Sequence, residues 1–238
     1  MADNPIRPRM PWRLAAIASC LILSGCAIRG RGLEDMQIKG VIDADDKTQT
    51  VQSFEPHVLA AAQDRAWRRN DSLFLAITAG PPVELVNLPD CDDTSEKDCR
   101  SFYLAADLAS RHSFLVEETF FNGSRFLLID DRSGRKTELD GPPQFGPDDS
   151  TILVIDNDET FVKPSVQVWQ RSGDAFVRVF SHDNAVGVSA SLEAWDADGI
   201  HLALSSADAF DEDGRHWTGT ITRNGAAWHF DESAAPAQ

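Results

Sequence analysis

Phe145-Gly-Pro-Asp-Asp-Ser-Thr-Ile-Leu-Val-Ile155 and Trp195-Asp-Ala-Asp-Gly-Ile-His-Leu-Ala-Leu204 carry one pattern twice: an aromatic residue, an acidic turn, then an apolar run. After a gap, each is followed by a strand, a polar turn and a second strand. In the first copy these are Val166-Gln-Val-Trp-Gln-Arg-Ser-Gly-Asp-Ala-Phe176; in the second they are Thr218-Gly-Thr-Ile-Thr-Arg-Asn-Gly-Ala-Ala-Trp228. The unit is about 50 residues long and holds four strands, the content of one propeller blade.

Outward from this repeat the chain continues as short strands and turns. Strands are expected at 73–78, 83–87, 102–106, 113–121, 125–130, 136–139, 151–156, 166–170, 175–180, 186–193, 200–205, 217–223 and 227–230. Asn122-Gly123, Ser133-Gly134, Ser172-Gly173, Asp198-Gly199 and Asn224-Gly225 supply tight-turn chemistry between them. No helical period separates the strands, which argues for antiparallel pairing rather than βαβ units. One helix is expected before them, over 57–69. Leu59, Ala62, Ala66 and Trp67 fall on one face, Pro56 suits the first turn, and Asn70 can close the end. The fold class is therefore mainly β, antiparallel, a propeller-like or sandwich-like meander with one N-terminal helix. Thirteen strands supply three or four blades. The β domain is expected over 71–232, a helix-containing lead-in over 51–70, and a disordered tail over 233–238.

Phe145-Gly-Pro-Asp-Asp resembles the F-S-P-D-G turn of TolB-like and WD40-like propeller blades, with Gly146 and Asp149 standing where those blades usually carry Ser and Gly. Phe120-Phe-Asn-Gly, Leu127-Leu-Ile-Asp-Asp-Arg-Ser-Gly and Phe145-Gly-Pro-Asp are also similar to segments of uncharacterised bacterial secreted proteins. The resemblance implies a blade architecture and no activity.

The N-terminus reads as an address. Arg7, Arg9 and Arg13 precede the apolar run Leu14–Leu23, which is shorter than the roughly 18 residues that span a bilayer. A basic region, a short apolar region and small residues describe a secretory signal peptide over 1–25. Its end, Leu23-Ser24-Gly25-Cys26, resembles the lipobox of bacterial lipoproteins. The resemblance implies that Cys26 takes a diacylglyceryl thioether and becomes the acylated first residue of the mature chain. Several acyl chains give durable attachment to a bilayer. Ala27 rather than Asp after the cysteine implies the outer membrane, facing the periplasm. Residues 26–50, with Gly30, Gly32, Asp43, Asp45 and Asp46 and little apolar period, are expected to form a flexible tether.

The 22 Lys and Arg against 38 Asp and Glu leave a net charge of −16. Loss of residues 1–25 removes three Arg and one Asp and takes it to −18. Phosphate binding needs clustered cations, so nucleic acid is excluded as a partner.

Of four cysteines, Cys20 leaves with the signal and Cys26 is lipidated. Cys91 and Cys99 remain, separated by a polar, turn-forming segment. In an oxidising compartment such a pair is expected to form a disulfide. Zinc is disfavoured, because the spacing is too wide and His112 is the nearest histidine.

No constellation commits to chemistry. Ser133-Gly-Arg-Lys136 spells S-x-x-K inside a hairpin turn without its companion motifs, and Gly187-Val-Ser189-Ala-Ser191 lacks the last Gly and the helix of a nucleophile elbow. His201, His216 and His229 fall in the last repeat, where three imidazoles could converge on zinc or serve a hydrolase. Asp156–Glu159 and Asp208–Asp213 could supply oxygens to calcium, without the EF-hand register. Asn122-Gly-Ser124 is a formal glycosylation sequon, which a bacterial lipoprotein would generally leave unused. The expectation is a non-enzymatic envelope lipoprotein with no cofactor, its β scaffold binding a protein partner. The alternatives are a small-ligand or calcium module and, behind it, an unrecognised hydrolase.

Overall fold

Ile152-Leu-Val-Ile155 is apolar at four successive positions because its strand is covered on both sides. In the computed structural model, which describes residues 38, 51–88, 99–121, 123–157, 163–206 and 215–233, Ile152 and Val154 face one neighbouring sheet and Leu153 the other. Alternate residues of a strand point to opposite faces, so a strand between two packed sheets loses its polar face.

Four antiparallel meanders follow one another. Sheet I is β1 (Ala66–Arg69), β2 (Ser72–Leu75) and β3 (Val83–Val86). Sheet II is β4 (Ser101–Leu108), β5 (Ser113–Phe120), β6 (Gly123–Asp130) and β7 (Lys136–Leu139). Sheet III is β8 (Pro143–Phe145), β9 (Thr151–Asp156), β10 (Ser165–Ser172) and β11 (Ala175–Asp183). Sheet IV is β12 (Val188–Trp195), β13 (Ile200–Ser206), β14 (Arg215–Asn224) and β15 (Ala227–Glu232). Every sheet keeps its strands in chain order, and the two copies of the repeat are sheets III and IV.

Three apolar layers join these sheets in sequence. Phe102, Leu104, Phe114, Val116, Leu127 and Ile129 of sheet II pack on Leu73, Leu75 and Leu85 of sheet I, together with Val58 and Ala62 of the helix. Ala106, Leu108, Leu115 and Leu128 of sheet II meet Ile152, Val154 and Phe176 of sheet III. A bulge between Leu104 and Ala106 shifts the register of β4, so residues 102 and 104 face sheet I while 106 and 108 face sheet III. Leu153, Val166 and Val168 of sheet III close on Ala190, Ile200, Leu202, Leu204 and Ile221 of sheet IV. No core cluster of described residues joins sheet IV back to sheet I. The propeller-or-sandwich alternative therefore becomes four antiparallel meanders packed face to face in chain order, not a closed barrel.

The helix, α1, runs over Val51–Ala62 rather than 57–69. Pro56 lies inside it and not in its first turn, which removes a bond to the Gln52 carbonyl. Residues 63–65 tighten into one 3-10 turn, and Ala66–Arg69, expected as helix, is strand β1. Trp67 pairs with Phe74 and their rings stack at 5.6 Å, a cross-strand contact that outweighs local helix preference. Glu55 bolts α1 in place. Its buried carboxylate accepts from Arg68 Nε and Nη2, both at 2.8 Å, and from the Leu104 backbone N–H at 2.7 Å. Arg68 also donates to the Phe102 carbonyl. Ile38, in the segment 26–50, packs into the layer between sheets II and III; the rest of that segment lies outside the described residues. Strand β8, which was not expected, is short and begins at Pro143 on a sheet edge, where a missing N–H is tolerated. Among the described residues no helix is long and apolar enough to cross a membrane.

Candidate functional site

The aromatic residue and acidic turn that open each repeat copy lie side by side in the structure. Sheet III turns between Phe145 and Thr151, and sheet IV between Trp195 and Ile200. Between the turns is an open cleft of about 400 Å³, lined by Pro147, Asp148, Thr151, Trp195, Asp196 and, from β15, Trp228.

Each turn is organised by an aspartate. Asp148 accepts from the Ser150 hydroxyl at 2.6 Å and from the Ser150 backbone N–H at 3.0 Å. These bonds, the hydroxyl first, hold its carboxyl below the ordinary value. Asp196 Oδ1 accepts from the backbone N–H groups of Asp198 at 2.8 Å and Gly199 at 3.2 Å, and His201 Nε2 lies 3.2 Å away. The Asp198 N–H, followed by His201, pulls the Asp196 carboxyl down as well. Hydrogen bonds to the charged form favour it, so both lining carboxylates are anions at neutral pH.

The turn backbones explain two residue choices. Trp195 lies flat against residue 146, where a Cβ would sit 2.8 Å from Trp195 Cζ2, so only glycine leaves room for the indole. Asp149 takes φ 56°, a left-handed conformation that Asp tolerates better than most residues. The indole N–H of Trp228 is buried with no hydrogen-bond partner among the described residues, and Arg223 lies 5.7 Å from the Trp228 ring centre.

The other side of the sheet III turn faces sheet II and is filled. Arg111, only 8 % exposed, enters from the β4–β5 connection. Its guanidinium carbon lies 4.5 Å from the Phe145 ring centre, and its Nε donates to Asp149 at 2.9 Å. One turn thus presents an aromatic ring and a carboxylate to a guanidinium on one side, and Pro147 and Asp148 to the cleft on the other.

The residues singled out in the sequence fall elsewhere. Cys26, Cys91, Asn122, Asp158, Glu159 and Asp208–Asp213 lie outside the described residues. Cys99 is buried and disulfide-bonded. Asn157 spends both ends of its amide on the Ala190 backbone, donating to the carbonyl and accepting from the N–H, each at 3.0 Å. Ser133 caps its own turn by donating to Asp130 at 3.0 Å. Ser189 and Ser191 stand on edge strand β12.

His201, His216 and His229 share the outer face of sheet IV. His201 is opposite Thr220, His216 opposite Ser205 and His229 opposite Thr222. They do not converge, and no group of three or more His, Cys, Asp or Glu among the described residues could hold a metal ion. His201 does bridge Thr220 and Asp196, with Thr220 Oγ1 3.4 Å from its Nδ1.

Sequence reasoning used Trp195, Asp148, Asp196 and Trp228 only as markers of strand and turn. The available signal was coarser: both copies carry an aromatic residue followed by an acidic turn, with Asp148 three residues after Phe145 and Asp196 one residue after Trp195. The chain matches no protein-family model, no curated protein and no solved structure.

Proposed function

We propose that this chain is a non-enzymatic lipoprotein of a bacterial envelope, held through acylated Cys26 at the periplasmic face of the outer membrane, whose β scaffold binds a protein partner. The observation that carries the partner-binding part is the cleft between sheets III and IV. It offers two tryptophans on a framework pinned by backbone bonds, and aromatic anchors on rigid supports are what protein interfaces use most. The scaffold loses little entropy on binding, because its turns are already tied by Asp148 and Asp196. The test is photo-crosslinking in the native envelope from a reactive residue at Ala197, on the cleft rim, followed by mass spectrometry. A defined partner recovered from Ala197 and not from Glu84 of sheet I is the expected result. Identical recoveries from both positions would overturn the proposal.

A further inference from the structure

We propose that the cleft between sheets III and IV receives a cationic side chain, an arginine guanidinium above all, presented by a partner protein; this rests on the partner-binding reading and gives that partner its chemistry. The molecule contains its own precedent. On the sheet II side of the Phe145–Thr151 turn, the guanidinium of Arg111 lies over Phe145 and on Asp149. On the sheet IV side, the same turn and its repeat partner offer Asp148, Trp195 and Asp196, and β15 adds Trp228, around an open volume. The ingredients match: aromatic ring and carboxylate in both places. Arg111 engages both its ring and its carboxylate, whereas at the cleft Arg223 covers the Trp228 ring and donates to the Gly225 carbonyl.

Charge and ring chemistry point the same way. A guanidinium stacks on an indole face while its N–H groups donate to carboxylate oxygens. Asp148 and Asp196 are fixed by their own turns and need no reorganisation to receive it. A net charge of −16 draws cationic surfaces toward the chain. Of the other charged groups near the lining, His201 contacts Asp196, and Arg223 stands over Trp228 while donating to the Gly225 carbonyl at 3.0 Å. Arg223 opposes a second cation, so its removal strengthens binding.

The experiment uses the full chain purified in a mild detergent and labelled with nitrogen-15. The indole N–H signals of Trp195 and Trp228 are assigned with Trp195→Phe and Trp228→Phe and followed during titration with acetyl-Gly-Gly-Arg-Gly-Gly-amide. The expected result is a saturable shift of those two signals. It weakens at least about fivefold when citrulline replaces arginine, and weakens further with added salt. Trp195→Ala reduces affinity about 3- to 30-fold, the range of a desolvated cation–aromatic contact. Asp148→Asn keeps an acceptor for Ser150, preserving the turn while lowering affinity, and Arg223→Gln raises it. Dispersion of the backbone signals checks that each variant is folded. Absence of a saturable shift, equal binding of the citrulline peptide, or shifts with maltotriose but not with the arginine peptide would each overturn the proposal. If the peptide fails while envelope crosslinking recovers a partner, the cation assignment falls and the scaffold stands. If the peptide binds and no partner is recovered, the reverse holds.

Discussion

Removal of the Glu55 carboxylate tests how the helix is fixed to the sheets. Glu55 is 6 % exposed and accepts three hydrogen bonds, two from Arg68 and one from the Leu104 N–H. Glu55→Ala leaves the Arg68 guanidinium, with a side chain 23 % exposed, without its carboxylate and, among the described residues, with the Phe102 carbonyl and the Tyr103 ring as its contacts. It also leaves the N–H of fully buried Leu104 without its acceptor. Breaking a buried ion pair from one side costs about 3–5 kcal/mol, and an unsatisfied buried donor about 1–3 kcal/mol. These overlap, because both are lost on one substitution, so the expected loss is about 4 kcal/mol. Against a typical domain stability of about 5–15 kcal/mol, that is a large fraction. Glu55→Gln retains an acceptor for Leu104 and loses only the charge, so its cost is about 1–3 kcal/mol. Replacing both partners, Glu55→Leu with Arg68→Met, removes the orphaned charge and costs less than the sum of the single changes. The assay is equilibrium urea denaturation of the chain expressed from residue 27, followed by tryptophan fluorescence. A loss below about 1 kcal/mol for Glu55→Ala, or additivity within about 0.5 kcal/mol in the double variant, would refute the reasoning.

Further outcomes follow from the same structure and sequence. Ile152→Ala and Leu153→Ala, adjacent on β9 but facing different sheets, each cost about 2–5 kcal/mol in urea denaturation; a cost under about 0.5 kcal/mol for either would mean that only one face of sheet III is packed. A clickable fatty acid labels the wild-type chain in cells and not Cys26→Ser, and equal labelling of the two would end the lipoprotein reading. Peptide mass spectrometry without reductant shows Cys91 joined to Cys99, a link worth roughly 2.5 kcal/mol in the chain-entropy account, whereas two freely alkylated thiols would exclude it. The lowered Asp148 carboxyl stabilises the fold above its unfolded pKa of about 4, and this contribution fades as pH falls through the lower folded value. Asp148→Asn therefore loses stability at neutral pH relative to wild type and converges with it once the pH has fallen below the depressed folded value. Parallel acid limbs in the two denaturation series would contradict that.

What the amino-acid sequence by itself determined was the local grammar. Period-two alternation and the Asn-Gly, Ser-Gly and Asp-Gly turns depend on neighbours only a few residues away, so the antiparallel class and thirteen of the strands were legible. The repeat falls in sheets III and IV, each copy taking in the last three strands of its four-stranded meander. Residues 57–62 are helix as expected, but 66–69 are strand, although Leu59, Ala62, Ala66 and Trp67 have helical spacing. Pairing of Trp67 with Phe74 across a turn decided for strand, and a cross-strand contact leaves no trace in a helical period. Strand β8 carried no signal at three residues with a leading proline. The order in which the sheets pack on one another came from the tertiary structure alone, since which face of a strand meets which neighbour is set by packing of surfaces distant in the chain. The cleft belongs to that level too. Asp148 and Trp195 look like turn punctuation one at a time, and become a site only when stacking of the third sheet on the fourth brings the two turns together.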